Sequence, residues 1–183
     1  KRNGWPRRLD GEIEFSGALK ASSINEDSLK IFRIDNQGRL VKSKAELIGV
    51  PAEKPTKIEI KAPLEGWIKG STYIVAAMGA EKGLRGRSGE LVVADSAFWY
   101  LRLKEELTSP ENIQSLPGAT LEEKTDKAEQ LEEIRKNLAP YFEKLESDGY
   151  DRMSIAHLWR FTVSQAAEVY MDKDAGKMPL PSN

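Results

Sequence analysis

Hydrophobic and polar positions alternate in short runs over the first half of the chain and recur at helical spacing over the second. The longest uncharged, strand-favouring run is Gly70-Ser71-Thr72-Tyr73-Ile74-Val75-Ala76-Ala77-Met78-Gly79. Thr, Tyr, Ile and Val suit a pleated, packed surface. A glycine closes the run at each end, and Glu81-Lys82-Gly83-Leu84-Arg85-Gly86 predicts a turn or loop after it. So short an apolar run predicts a strand buried on both faces or nearly so. Upstream, residues 11–16 alternate, with Ile13 and Phe15 on one face. Residues 17–25 read as a loop with room for one helical turn. Residues 28–34 form a second strand, with Leu29 and Ile31 on one face and Phe32 and Ile34 on the other. Asp35-Asn36-Gln37-Gly38 is a hairpin turn, and Arg39-Leu40-Val41 starts the return. Residues 49–56 carry two prolines and a glycine and read as a loop, whereas Lys57-Ile58-Glu59-Ile60-Lys61 is a half-exposed strand. These short strands and turns predict an antiparallel sandwich.

The period then changes. Asp95 or Ser96 caps a helix expected through 97–107, which Thr108-Ser109-Pro110 stops. Thr120-Leu121-Glu122-Glu123 is a capping box. Behind it Leu121, Ala128, Leu131, Ile134 (or Arg135), Leu138, Tyr141 (or Phe142) and Leu145 share a helical stripe. Pro140 is expected to kink this helix or open a new segment, and Gly149 to cap its end. Leu131, Ile134, Leu138 and Leu145 are expected to be buried, and Glu122-Glu123 and Glu132-Glu133 to form the solvated face. Residues 155–163 return to strand and are expected to pair within the sandwich, while 167–183 reads as loosely ordered.

Composition narrows the class. The chain has 183 residues, with 28 basic and 29 acidic side chains and a net charge of −1. That balance speaks against nucleic acid, which needs clustered positive charge. No run approaches the length of a membrane span. With no cysteine, disulfides, thiolate metal sites and a cysteine nucleophile are excluded from this segment. The chain opens at Lys1 without a methionine, and it reads as part of a longer protein.

Candidate chemistry is sparse. In Gly86-Arg87-Ser88-Gly89 the glycine directly follows the serine, unlike the G-x-S-x-G elbow, so a plain turn is expected. His157 is the only histidine and lies in an apolar strand, where a structural role outweighs catalysis and no zinc site is expected. Asp172-Lys173-Asp174-Ala175-Gly176 opens like a calcium loop but lacks its later glutamate. Catalytic, cofactor-binding and metal residues are therefore all read as none. Trp5, Trp67 and Trp99 are the candidate binding surface, with core packing as the alternative for Trp67, Trp99 and Trp159.

An ordered set of motifs resembles a known family. Asn3-Gly4-Trp5, Gly11-Glu12-Ile13-Glu14-Phe15-Ser16-Gly17-Ala18-Leu19 and Ser28-Leu29-Lys30-Ile31-Phe32-Arg33-Ile34 are similar to the D-G-F/W, F-S-x-x-L and V-x-V-F-x-V segments of a bacterial Ig-like module. That module stands on the N-terminal side of virulence-factor-type extracellular lipases and occurs in related surface lipoproteins. Ser71-Thr72-Tyr73-Ile74-Val75 with Gly83-Leu84-Arg85-Gly86 resembles its T-T-Y-x-V-x-V…G-L segment, and Leu158-Trp159-Arg160-Phe161-Thr162-Val163-Ser164 its W-T-F-T-T-x-S segment. Arg160 stands where the pattern has threonine, and Arg85-Gly86-Arg87 replaces its acidic turn. Met178-Pro179-Leu180-Pro181-Ser182-Asn183 resembles the opening of a following module.

The resemblance implies a mainly β fold: an Ig-like antiparallel β-sandwich with two or so helices before the last strand. It implies a domain over 1–165 with a helical insertion at about 95–149, and a tail or linker over 166–183. The implied function is a non-catalytic structural or interaction module of an exported bacterial protein, secreted or on the cell surface, with lipase or esterase catalysis in a separate downstream domain. Neighbouring domains, and a surface polymer or protein, are the expected partners. The alternative is a small domain that binds carbohydrate, peptide or lipid through exposed aromatics.

Overall fold

The computed structural model describes residues 4–165. The expected tail and the calcium-like motif at 172–176 lie outside the described residues. Two antiparallel sheets and three α-helices make up the fold. The strands are β1 (Gly11–Glu14), β2 (Leu29–Ile34), β3 (Leu40–Lys42), β4 (Glu46–Val50), β5 (Lys57–Lys61), β6 (Thr72–Met78) and β7 (Ile155–Thr162). One sheet has the order β1-β5-β4 and the other β3-β2-β6-β7. The chain passes between the sheets from β1 to β2, from β3 to β4 and from β5 to β6.

The anchor strand β6 sits between β2 and β7 in the larger sheet, with Tyr73 through Met78 all buried. Its two faces feed two cores. Tyr73, Val75 and Ala77 join Leu29, Ile31, Ile58, Ile60 and Trp67 in a core shared by both sheets. Ile74, Ala76 and Met78 join Phe32, Leu158 and the helices on the opposite side. The expected division of β2, with Leu29 and Ile31 on one face and Phe32 and Ile34 on the other, is the observed one. Strand β5 keeps Ile58 and Ile60 inward, and its outward Lys57, Glu59 and Lys61 form an ion-pair ladder with Glu12 and Asp10. Strand β4 was hidden in sequence because Gly49 and Pro51 read as turn residues. Its order comes from full pairing with β5, a non-local effect.

The helices α1 (Ser96–Leu101), α2 (Pro110–Ser115) and α3 (Leu121–Ser147) all lie between β6 and β7 in the chain. Asp95 caps α1, its carboxylate accepting from the Phe98 amide at 2.8 Å. Helix α1 ends at Leu101, short of the expected 107. Ser109-Pro110, expected as a stop, starts α2: Ser109 caps it and Pro110 takes the first turn, where a missing amide costs nothing. Thr120 and Glu123 form the capping box of α3 as expected. That helix runs unbroken through Pro140, so no new segment opens there. Pro140 and Lys136 are exposed, and water can solvate the carbonyl that the proline leaves without a partner. At the C-terminus Gly149 has φ of +87°, with Gly149 N–H bonded to Glu146 and Tyr150 N–H to Leu145, a complete Schellman cap.

Leu131, Leu138 and Leu145 are buried as the stripe predicts, but Ile134 is 46% exposed. Glu132, expected in solvent, is buried instead. Both corrections have one cause. Arg135 turns inward in place of Ile134 and holds Glu132 in a two-pronged pair, Nε and Nη2 each 2.7 Å from a carboxylate oxygen. Glu132 also accepts the buried amide of Leu107, so the loop after α1, rather than water, solvates this carboxylate. The arginine beside Glu132 pulls its pKa down to about 2, with the Leu107 amide acting in the same direction and burial opposing.

Strand β7 pairs antiparallel with β6 along its length, at the edge of the larger sheet. Beyond it Trp5 makes a parallel bridge to Val163, with its amide donating to Thr162 and its carbonyl accepting from Ser164.

Candidate functional site

The proposed aromatic surface does not assemble. Trp5 and Trp67 do meet, but inside the sheet–sheet core, around Phe161 at 5.2 and 5.3 Å between ring centroids. Tyr73 stacks on the same Phe161, nearly parallel at 5.2 Å. Both indole N–H groups donate to a single acceptor, the Leu9 carbonyl, at 3.0 and 3.1 Å. Arg7 closes the same end, donating to the carbonyls of Trp67 and Glu65. Trp67 is 2% exposed and is therefore removed from the binding surface. The reason is a non-local contact: the Trp67 amide donates to the Arg7 carbonyl, so the entry segment folds over the indole. Trp5 is half-buried. Trp99, 43% exposed, is on α1 and packs edge-on to Tyr100, apart from the other two.

A cleft lies elsewhere. It encloses about 430 Å³, lined by Ile13 and Phe15 from β1 and the following turn, His157 from β7, and Leu91, Val93 and Asp95 from the crossing segment. Leu91 and Val93 are 47% and 76% exposed, giving the cleft an apolar rim. Glu14, Ser16, Glu90 and Asp95 supply its polar wall. The local sequence explains the arrangement. The Val92 amide donates to the Leu84 carbonyl across the loop, Arg85 pairs with Leu91, and Gly86 with Leu19, which pins the 84–92 segment over the sheets. Gly79 is required beside this segment, since a Cβ there would meet the Val92 carbonyl oxygen at 2.1 Å.

His157 is half-buried between Phe98, at 4.9 Å, and Trp159, at 5.7 Å. Burial pushes its pKa below the ordinary value of 6.5, and the Asp95 charge partly opposes this. Among the described residues the imidazole has no hydrogen-bond partner, and the Asp95 carboxylate is engaged at the helix cap. Ser16 lines the same cleft without bonding His157, and Ser88 is exposed in the Gly86–Gly89 turn. Among the described residues no nucleophile–base link of the kind acyl transfer needs is formed. No group of three or more His, Asp or Glu able to hold a metal occurs among the described residues. Among the same residues, no helix is long and apolar enough to cross a membrane.

The cleft residues escaped sequence reasoning because they come from three distant stretches, around 15, 91 and 157. The one legible signal was the pair of exposed aliphatics in Leu91-Val92-Val93, too short a run to distinguish from a strand. Comparison with protein-family profiles, with curated proteins and with solved structures finds no match to this chain.

Proposed function

We propose that residues 4–165 form an Ig-like module that serves as a non-catalytic structural or interaction unit of an exported bacterial protein, of the kind that precedes a separate lipase or esterase domain. The strand order carries this reading. The orders β1-β5-β4 and β3-β2-β6-β7, with the chain crossing between sheets three times, support it, because they match strands B-E-D and C′-C-F-G of an Ig sandwich. A second feature agrees. Tyr73 stands at the start of the strand in the F position, and its hydroxyl accepts the Ile68 amide at 3.0 Å, the geometry of a tyrosine corner. The helices then occupy the F–G connection, where Ig domains carry a loop at one end of the sandwich. Export and a hydrolase partner rest on the ordered motif resemblance alone.

Purified protein assayed on short- and long-chain p-nitrophenyl esters tests the non-catalytic part. No turnover above buffer is expected. Hydrolysis that survives repurification and disappears in Ser16→Ala, Ser88→Ala or His157→Ala would overturn it.

The cleft favours one second reading, a ligand-binding domain. An apolar rim over a polar wall suits a small amphiphile or an extended peptide better than a flat sugar-stacking face, because Trp67 is not available to stack.

A further inference from the structure

Two arginines are buried among the described residues, Arg102 and Arg152, and one of the two has a carboxylate partner. Arg135 is held by Glu132, and Arg152, 5% exposed, by Glu146. Arg102, 7% exposed at the end of α1, has no ion-pair partner among the described residues. Its Nη1 donates to the carbonyls of Met153 and Ile155, at 2.5 and 3.2 Å. Its Nε is buried without a partner, and its Nη2 donates to no described residue. Nε and Nη2 are the side-on edge of the guanidinium, the edge that matches the two oxygens of a carboxylate. A buried cation with an unmet fork costs free energy unless something completes it. Asp151 acts on it only through space, and burial draws its pKa below the ordinary arginine value.

Arg102 lines a cavity of about 130 Å³, formed with Gly79, Val92, Met153, Ser154 and Ala156. That is room for a few waters or one small acid group. The rim includes Val93 and Met153, 76% and 48% exposed. The cavity borders the larger cleft, sharing Val92, Val93 and Ala156 with it. Arg102 is its single charged lining residue, which favours a planar monoanion over a phosphate dianion.

We propose that the Nε/Nη2 edge of Arg102 is a binding site for one carboxylate, presented by a small organic acid or by the end or side chain of a peptide. The inference does not depend on the Ig-like reading, since it needs only the cavity and the unpaired guanidinium.

The test is NMR of the Arg102 Nε–H in the 183-residue wild-type protein, titrated with sodium acetate against sodium chloride at equal ionic strength. A saturable shift in acetate and none in chloride is expected. Identical traces in the two salts, or no saturable shift, overturn the proposal without any variant. Arg102→Lys keeps the charge and loses the fork, and should weaken acetate binding at least about tenfold. A folded Arg102→Lys protein that binds acetate like wild type also overturns it. A short peptide with a free C-terminus, compared with its amidated form, separates the sources. Tighter binding of the free acid than of acetate assigns the site to a chain-borne carboxylate, and binding no tighter than acetate assigns it to a small acid.

Discussion

Single residues decide what this protein can present to a partner. Trp67 and Trp99 look alike in sequence, each beside aliphatic or aromatic neighbours, and the structure separates them by the fate of the indole N–H. That of Trp67 is spent on Leu9 inside the core, and its ring touches Tyr73 and Phe161. Trp99 keeps nearly half its surface in water. Trp67→Ala should therefore cost about 3–5 kcal/mol, the range for deleting a large buried aromatic. Trp99→Ala should change stability by less than about 0.5 kcal/mol. Urea unfolding of the two variants checks this, and equal losses would refute the placement of Trp67. The aromatic site was illegible because burial of Trp67 depends on the entry segment returning over it, a contact between residues 7 and 67 that no local pattern encodes.

At the scale of elements, α3 shows what periodicity can and cannot resolve. The capping box, the leucine stripe and the terminal glycine all follow local rules, and each appears where the sequence places it. The choice between Ile134 and Arg135 does not follow, because it turns on whether a carboxylate and a loop amide are waiting. Glu132 and Arg135 both attach α3 to the loop after α1, Glu132 through the Leu107 amide and Arg135 through the Lys104 carbonyl. Removing Glu132 leaves the Leu107 amide without its acceptor and Arg135 without its carboxylate, so Glu132→Ala should cost about 3 kcal/mol. Glu133→Ala, one position on and exposed, should cost less than about 0.5 kcal/mol. The pH dependence has a definite sign. The carboxyl is held near 2 when folded against an ordinary 4.5, so its contribution is complete above pH 4.5 and is lost as pH falls from there toward 2. Wild type should lose stability through that window more steeply than Glu132→Gln, measured by urea midpoints at several pH values. A neighbouring prediction tests the stripe. Leu138→Ala should cost about 2–5 kcal/mol if the helix packs as observed. An unchanged urea midpoint would mean that α3 is a detachable arm.

Across the whole molecule, the larger sheet is the common wall of two cores, and β6 is its centre. A strand with every residue from Tyr73 to Met78 buried is legible from its uncharged run, and so was its need for cover on both sides. What covers each side was only half legible. The alternation of β1, β2 and β5 announced a second sheet, whereas β4 and α2 emerged only through pairing and capping among residues that read as turns. The Ig-like reading depends on β7 returning to β6 after all three helices. Hα–Hα NOE contacts across that pair test this most directly. Thr162 gives its carbonyl to Trp5 on the outer side, so Leu158 and Arg160 also turn their backbone groups away from β6 and their Cα atoms come close to those of Ala76 and Ile74. The account predicts strong Hα–Hα contacts between Ala76 and Leu158 and between Ile74 and Arg160. Helical shifts over 155–162, or contacts in a register moved by one residue, would contradict it.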